Sequence, residues 1–108
     1  MARGLETSLD VDPELRIGPD TEALFYRVAQ EALRNVSKHA GAKHVRVKVS
    51  SKSLVVEDDG RGFDPDGVQG DGHFGLRMLQ DLARAAGGTL EVDSSAGKGT
   101  RVAVEAAQ

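Results

Sequence analysis

The spacing of apolar residues changes period several times along this chain, and the order of those periods is what most limits its fold. Five short segments alternate apolar and polar residues as half-buried β-strands do: LETSLDV, HVRVKVS, SLVVED, TLEVDS and TRVAVEA. Two longer segments, from Asp20 or Thr21 to Ala40 and from about Phe74 to Ala86, repeat apolar residues at helical spacing. Each strand has one apolar and one polar face, which predicts an α+β two-layer sandwich with helices on one face of the sheet.

Turn-forming residues mark where these elements begin and end. Asp20 and Thr21 are predicted N-cap residues, Gly41 a helix stop, and SSK a hairpin connection between two strands. The segment DDGRGFDPDGVQGDGHFG contains six glycines in eighteen residues, which predicts that it forms no regular structure. Glycine-rich loops of this length are usually lids over a site or disordered connectors.

Composition narrows the function classes. The chain has 108 residues, which predicts one domain over residues 1–108, and the opening letters MARG are equally compatible with a domain cut from a longer protein. A net charge of −3 argues against sequence-independent binding to nucleic acid. There is no cysteine for disulfides or thiolate metal sites, and no apolar run of about 20 residues to span a bilayer. We therefore expect a reducing, cytoplasmic setting.

The first predicted helix carries polar residues where its apolar face should be. Asn35 and His39 fall inside the apolar arc, and Glu31 and Lys38 lie on its border. An unpartnered buried amide costs about 1–3 kcal/mol, and the simpler alternative is that nearby backbone satisfies these groups. An Asn oxygen suits Mg²⁺, a Lys ammonium suits phosphate, and a Glu polarises a hydroxyl. The stripe therefore indicates a site for a metal and phosphate groups.

Three glycine motifs add to this pattern. EDDGRGF places two acids at the end of a strand, before glycines that allow close approach of a ligand. GDGHFGL leads into the second helix, whose first backbone N–H groups form an anion site. AGKGT precedes the last strand and is not a P-loop, since a strand rather than a helix follows it. Each motif alone is equally well explained as an ordinary turn or loop.

Taken together and in order, EALRNVSKHA, DDGRGF, GHFGL and GKGT resemble the N, G1, G2 and G3 boxes of the GHKL (Bergerat-fold) ATPases. More narrowly, they resemble the catalytic ATP-binding domain of bacterial two-component sensor histidine kinases. The form QEALRNVSKHA, with GLRML and AGGTLEVDSSAGKGT, is similar to the NarL/LuxR-type subfamily. The resemblance covers residues 9–104 and implies a mixed, largely antiparallel sheet, helices on one face and a lid over ATP.

The resemblance also implies a role for each matching residue. Asn35 would hold Mg²⁺ against the triphosphate, Lys38 and His39 would reach the phosphates, and Glu31 would orient the attacking group. Asp58 would accept the adenine amino group. The other implied nucleotide-binding positions lie in the glycine motifs and at the adjoining strand and helix ends: Gly60, Gly62, Gly72, Gly75, Leu76, Gly97, Gly99 and Thr100. Among these, Gly72 and Gly75 would end the lid, and the Thr100 hydroxyl would support Asp58.

The function implied by the resemblance is donation of the ATP γ-phosphoryl group to a histidine on a dimerisation domain that is not part of this sequence. His39, His44 and His73 do not lie in a phospho-acceptor context, and His44 reads as a surface residue at a strand edge. The implied partners are ATP, the dimerisation domain and, indirectly, a response regulator. The domain alone is expected to be a monomer, and the full-length protein either free or membrane-anchored. The alternatives are a nucleotide-sensing interaction module and an anti-sigma-type serine kinase of the same fold.

Overall fold

The computed structural model describes residues 6–37, 41–60, 71–94 and 97–106, and of residues 71–76 only the backbone. The described elements follow the order that the sequence predicts. The strands are β1 (Glu6–Val11), β2 (His44–Val49), β3 (Ser53–Asp58), β4 (Thr89–Ser94) and β5 (Thr100–Glu105), and the helices are α1 (Pro19–Asn35) and α2 (Asp71–Ala85). Neither helix is long and apolar enough to cross a membrane, as far as the described ranges extend.

The strands form one mixed sheet in the order β1-β2-β3-β5-β4. β1 is parallel to β2, and the other three pairings are antiparallel. The helices contact each other, α1 contacts β3 and β5, and α2 contacts β4. This confirms the predicted two-layer sandwich with a largely antiparallel sheet. The predicted β2–β3 hairpin is also present, closed by the Ser50 N–H, which donates to the Ser53 carbonyl over 2.8 Å.

The core lies between the sheet and the two helices. Apolar side chains at helical spacing on α1 face alternate residues of β3 and β5, so that water is excluded from one face of the sheet. The buried hydrophobic residues are Leu24, Phe25, Val28, Ala32, Val36, Val45, Val47, Leu54, Val56, Leu79, Ala83, Val102 and Val104. Leu33, which the sequence places in the apolar arc of α1, is instead 37% exposed, because it lies at the edge of that arc.

The prediction that β1 is half-buried is wrong. All six of its residues are exposed, and Leu9 keeps 67% of its surface accessible. In the parallel register Leu9 pairs with Val47, so it lies on the same face of the sheet as the core. The helices, however, make their main contacts with β3, β5 and β4. The edge strand β1 therefore lies beyond the helical layer. Its apolar residues alternate with polar ones, but neither α1 nor α2 covers them.

The start of α1 differs from the prediction. The N-cap residue is Gly18, which makes no side-chain capping bond, and Pro19 is the first helical residue. Pro is favoured there because its fixed φ suits a helix and its missing N–H would be unpaired anyway. Asp20 and Thr21 therefore lie in the first turn, where the carboxylate of Asp20 interacts favourably with the helix dipole.

The other helix ends are also shifted. α1 is α-helical to Asn35 and continues as a π turn at residues 36–37, while the predicted extension to Ala40 lies outside the described residues. α2 begins at Asp71, three residues before the predicted start at Phe74, and ends at Ala85. Gly72 and Gly75, predicted to end a lid, therefore lie on the helical backbone of α2.

Candidate functional site

The topology brings several element ends to one edge of the fold. Val45 at the start of β2 pairs with Asp58 at the end of β3, Asp58 pairs with Thr100 at the start of β5, and Thr100 pairs with Ser94 at the end of β4. α1 connects the end of β1 to the start of the parallel strand β2, so its last residue, Asn35, returns to this same edge. Motifs that are far apart in sequence thus converge.

The N-terminus of α2 points toward the same edge. α2 ends just before β4 begins at Thr89, and β4 then runs to Ser94 at the site. Because α2 packs along β4, its opposite end, at Asp71, lies near the end of β4. The first N–H groups of a helix have no intrahelical partners and carry a partial positive charge. This places a region suited to anions beside the residues that end β3 and β4.

Paired residues in adjacent strands point to the same face, so Ser94, Thr100 and Asp58 form a row across the sheet. Val102 and Val56 lie two residues from Thr100 and Asp58 on their strands, and both are buried under the helices. The row therefore faces the helical layer rather than the open face of the sheet. All three of its side chains are partly buried.

Backbone groups hold the carboxylate of Asp58. Its Oδ1 accepts the Gly60 N–H over 2.8 Å, and the Thr100 N–H is also hydrogen-bonded to the carboxylate. Burial raises the pKa of Asp58 above its usual value, while these two N–H groups act in the opposite direction. Within the described residues no Lys, Arg or His forms an ion pair with it. The carboxylate is thus fixed in place and keeps lone pairs for a donor on a ligand.

The turn between β4 and β5 passes directly against Asp58. Gly99 is buried, its φ is +80°, and a Cβ there would overlap the carbonyl oxygen of Asp58. Gly97 also has a positive φ, of +81°, but a Cβ there would meet open space. The two predicted glycines thus serve different purposes. Both permit the turn, but of the two only Gly99 permits the close approach of two strands.

Ser94 is a residue of this row that the sequence reasoning missed. Its Oγ lies 2.8 Å from the Thr100 Oγ1 and 3.1 Å from the carbonyl oxygen of Gly99. The hydrogen bond from Thr100 to Asp58 comes from the backbone N–H, whereas its hydroxyl bonds to Ser94. The sequence does show that Ser94 lies two residues after Val92 on an alternating strand, and therefore on the same face. Its contact with Thr100 follows only from the pairing register of β4 and β5.

The last turn of α1 supplies the polar stripe. Asn35 is half-buried, and the side chain of Glu31 is only 14% exposed, with its Oε1 3.9 Å from the Arg34 guanidinium. No three His, Asp or Glu side chains converge as metal ligands anywhere in the described parts of the chain. Mg²⁺ is typically held by one or two protein oxygens together with substrate phosphates and water. The single amide oxygen of Asn35 fits a cation that arrives with a phosphate ligand.

Other predicted site residues are not placed by the structure. Lys38, His39 and Gly62 lie outside the described residues. Gly72, Gly75 and Leu76 are on the backbone of the first two turns of α2, near the same edge of the sheet, and nothing of their side-chain environment is described.

A second polar cluster lies beside the site, at the start of β2. Asp59 Oδ1 accepts the N–H groups of Lys43 and His44 over 2.8 and 2.9 Å. Its Oδ2 lies 2.7 Å from the His44 Nδ1, and the His44 Nε2 lies 3.2 Å from Glu6. The bond to His44 lowers the pKa of Asp59 to about 2, and the bond to Asp59 raises the pKa of His44. His44 is exposed as predicted, but its pairing with Asp59 was not foreseen.

Comparison with known proteins gives consistent similarities. The profile of the histidine kinase-, DNA gyrase B- and HSP90-like ATPases matches residues 20–107. An uncharacterised sensor-like histidine kinase of Chloroflexus aurantiacus is 36% identical over 104 residues, which cover 88% of this chain and 17% of that protein. The sensor histidine kinase LiaS of Bacillus subtilis is 39% identical over 93 residues, covering 82% of this chain and 26% of LiaS.

The fold is similar to that of a solved structure as well. The crystal structure of full-length ShkA in complex with AMPPNP superposes with a TM-score of 0.77 at 28% identity, over 95% of this chain and 25% of that one. The chain thus spans about a quarter or less of the length of these proteins and matches them over nearly all of its own length.

Proposed function

The chain belongs to the family of histidine kinase-, DNA gyrase B- and HSP90-like ATPases, and from this premise we propose that it is the ATP-binding catalytic domain of a sensor histidine kinase. The observation that carries the proposal is the carboxylate of Asp58. It is half-buried, held by two backbone N–H groups, and lies at the edge where the ends of α1, β4 and α2 meet. An ionised carboxylate only accepts hydrogen bonds, which suits the 6-amino group of adenine.

The phosphate groups would extend from the base toward the helix ends. The free N–H groups at the start of α2 favour negative charge there. Lys38 and His39 lie three and four residues after Asn35 in sequence and are proposed to contact the phosphates. Phosphoryl transfer needs mainly positioning and neutralisation of charge, and these groups supply both.

Asn35 is proposed to hold Mg²⁺, and the side chain of Glu31 one turn earlier is proposed to orient the attacking nucleophile. When bound, the metal neutralises charge on the phosphate oxygens. Glu31 is largely buried and lies near only one cation, Arg34, at 3.9 Å within the described residues. Its carboxylate lies one helical turn before Asn35 on the same side of α1.

We propose that the acceptor is a histidine on a dimerisation domain of the same full-length kinase, and that a response regulator receives the phosphoryl group afterwards. The names of the relatives support this, as they are sensor histidine kinases several times longer than this chain. The motif QEALRNVSKHA supports the finer assignment to the NarL/LuxR-type subfamily. The proposal also places this domain in the cytoplasm, as a monomer when separated from its dimerisation domain.

The proposal is tested by nucleotide binding and by transfer in trans. Calorimetric titration of Mg–AMPPNP into the purified chain is expected to show saturable binding that depends on Mg²⁺, with the metal dependence weakened in Asn35→Ala. Labelled Mg–ATP is then supplied together with a histidine-containing dimerisation domain from a sensor histidine kinase. We expect an acid-labile phosphohistidine on that domain.

Two results would contradict the proposal. Acid-stable labelling of a serine in an added anti-sigma-factor partner, with none on histidine, would assign the chain to the serine kinases of this fold. Nucleotide binding without transfer to any histidine domain tested, including those of several relatives, would instead favour a nucleotide-sensing module.

A further inference from the structure

The hydroxyl of Ser94 lies between two oxygen atoms, one of which can only accept a hydrogen bond. The Gly99 carbonyl, 3.1 Å away, only accepts, so Ser94 donates its one hydrogen there. The Thr100 Oγ1 lies 2.8 Å from the same Ser94 oxygen. We assign the donor role in that pair to the Thr100 hydroxyl, because the one hydrogen of Ser94 is then directed to the Gly99 carbonyl. The hydrogen of Thr100 is thus directed toward β4.

Thr100 has another potential acceptor on its other side. It stands between Ser94 and Asp58 in the strand register, directly opposite each of them. Directly paired residues have Cβ atoms about 5 Å apart, within reach of a hydroxyl and a carboxylate. Hydrogen bonds to an ionised acceptor are stronger than those between neutral groups. Without Ser94, the Thr100 hydroxyl would therefore turn toward the carboxylate of Asp58.

We propose that Ser94 is a positioning residue that draws the Thr100 hydroxyl hydrogen away from Asp58 and so keeps the lone pairs of that carboxylate available for the amino group of the base. The inference rests on the proposed function, since it concerns recognition of adenine by Asp58. It assigns Ser94 a part in nucleotide specificity through Thr100, in addition to closing the β4–β5 turn through the Gly99 carbonyl.

The test compares two nucleotides that differ only in the 6-amino group, ATP and purine riboside triphosphate, each bound with Mg²⁺ to the full chain. In Ser94→Ala the Thr100 hydroxyl competes with the amino group for Asp58. We expect the preference for ATP over purine riboside triphosphate to fall about tenfold, the equivalent of one hydrogen bond. Affinity for purine riboside triphosphate is expected to change by less than about twofold, because that nucleotide does not use the competed lone pair.

Two further variants separate this role from a merely structural one. Ser94→Thr keeps the hydroxyl on a residue suited to strands and is expected to retain the wild-type preference. Thr100→Val removes the competing hydrogen, so adding Ser94→Ala in that background is expected to leave the preference unchanged. Circular dichroism and thermal unfolding verify that each variant is folded before its affinities are compared.

The outcomes distinguish failure of the inference from failure of the proposed function. Equal weakening of both nucleotides in Ser94→Ala, or an unchanged preference, would overturn the role of Ser94 while leaving ATP binding intact. A tenfold loss of preference that persists in the Thr100→Val background would also overturn it. If the wild-type chain binds neither nucleotide at millimolar concentration, both the inference and the proposed function are wrong.

Discussion

At the scale of single residues, the site is defined by the backbone groups that hold Asp58, whose carboxylate forms no ion pair within the described residues. Its carboxylate receives the N–H groups of Gly60 and Thr100, and the turn at Gly99 packs against its carbonyl. A lysine or arginine beside the carboxylate would compete with a ligand for its lone pairs. It would also attract many kinds of anionic group to that position. Backbone N–H groups instead fix the orientation of the carboxylate and leave it to select a neutral donor such as an aromatic amine.

Gly97 and Gly99 form a matched pair for testing the close approach at this position. Both have φ near +80°, so an alanine at either position carries the same backbone strain of about 1–2 kcal/mol. Only at Gly99 would the added Cβ overlap the Asp58 carbonyl. We expect Gly99→Ala to lower the free energy of unfolding by about 1–3 kcal/mol more than Gly97→Ala. Urea denaturation measures both, and equal losses would show that the turn adjusts without disturbing Asp58.

At the scale of elements, Asp59 ties the end of β3 to the start of β2, and through His44 to the start of β1. The cluster contains one cationic group, His44, and two carboxylates, those of Asp59 and Glu6. His44 has a pKa raised above 6.5 in the folded state, so its contribution to stability is complete below pH 6.5 and is lost as the pH rises through the raised value. Asp59 has a pKa of about 2 against 3.8, so its contribution is present above pH 3.8 and lost toward pH 2.

These opposite dependences predict that the cluster stabilises the fold most between about pH 4 and 6.5. His44→Gln keeps a hydrogen-bonding side chain but removes the charge. We expect the difference in unfolding free energy between wild type and His44→Gln to be larger at pH 5.5 than at pH 8.5, measured by urea denaturation at both values. A difference that is the same at both pH values, or larger at pH 8.5, would show that the charge of His44 does not contribute.

The type and order of the helices and strands follow from the sequence. Which strands the helices cover does not. Alternation in HVRVKV and SLVVED predicts strands correctly, and the buried positions of both agree with it. The same alternation in β1 predicts burial that is wrong, because burial depends on how far the two helices reach across the sheet. The predicted start of α1 is wrong for a local reason: the helix begins at Pro19 after Gly18, which has no side chain to cap it, so the N-cap preferences of Asp and Thr do not locate this start.

At the scale of the whole molecule, the sequence predicts the order of the motifs that form the site. It does not predict which residues of those motifs contact each other. Asp58, Gly99 and Thr100 were predicted from the resemblance, and the sheet register brings them together. The roles of Ser94 and Asp59 depend on which residue stands opposite on a strand distant in sequence. Pairings such as Ser94 with Thr100 arise only from the complete β4-β5-β3 order, which no local pattern specifies.

Because this assembly exists only in the folded chain, a nucleotide that binds there must stabilise the whole domain. At a Mg–ATP concentration of 100 times its dissociation constant the stabilisation is about 2.7 kcal/mol, which raises the unfolding midpoint by about 10 °C. Asp58→Asn replaces an acceptor by an amide and is expected to weaken binding about tenfold to hundredfold. At the same nucleotide concentration the rise in midpoint should then fall to between about a half and a sixth of the wild-type rise.

Asp93→Asn is the matched control for this measurement. Asp93 is an exposed acid one residue before Ser94, on the opposite face of the sheet from Asp58, so its variant should keep the full rise in midpoint. Differential scanning fluorimetry with and without Mg–ATP compares the three proteins. Equal rises in wild type and Asp58→Asn would mean that the base does not use Asp58. An equal loss in both variants would point to a general effect of negative charge, so only a loss confined to Asp58→Asn agrees with recognition of adenine at the end of β3.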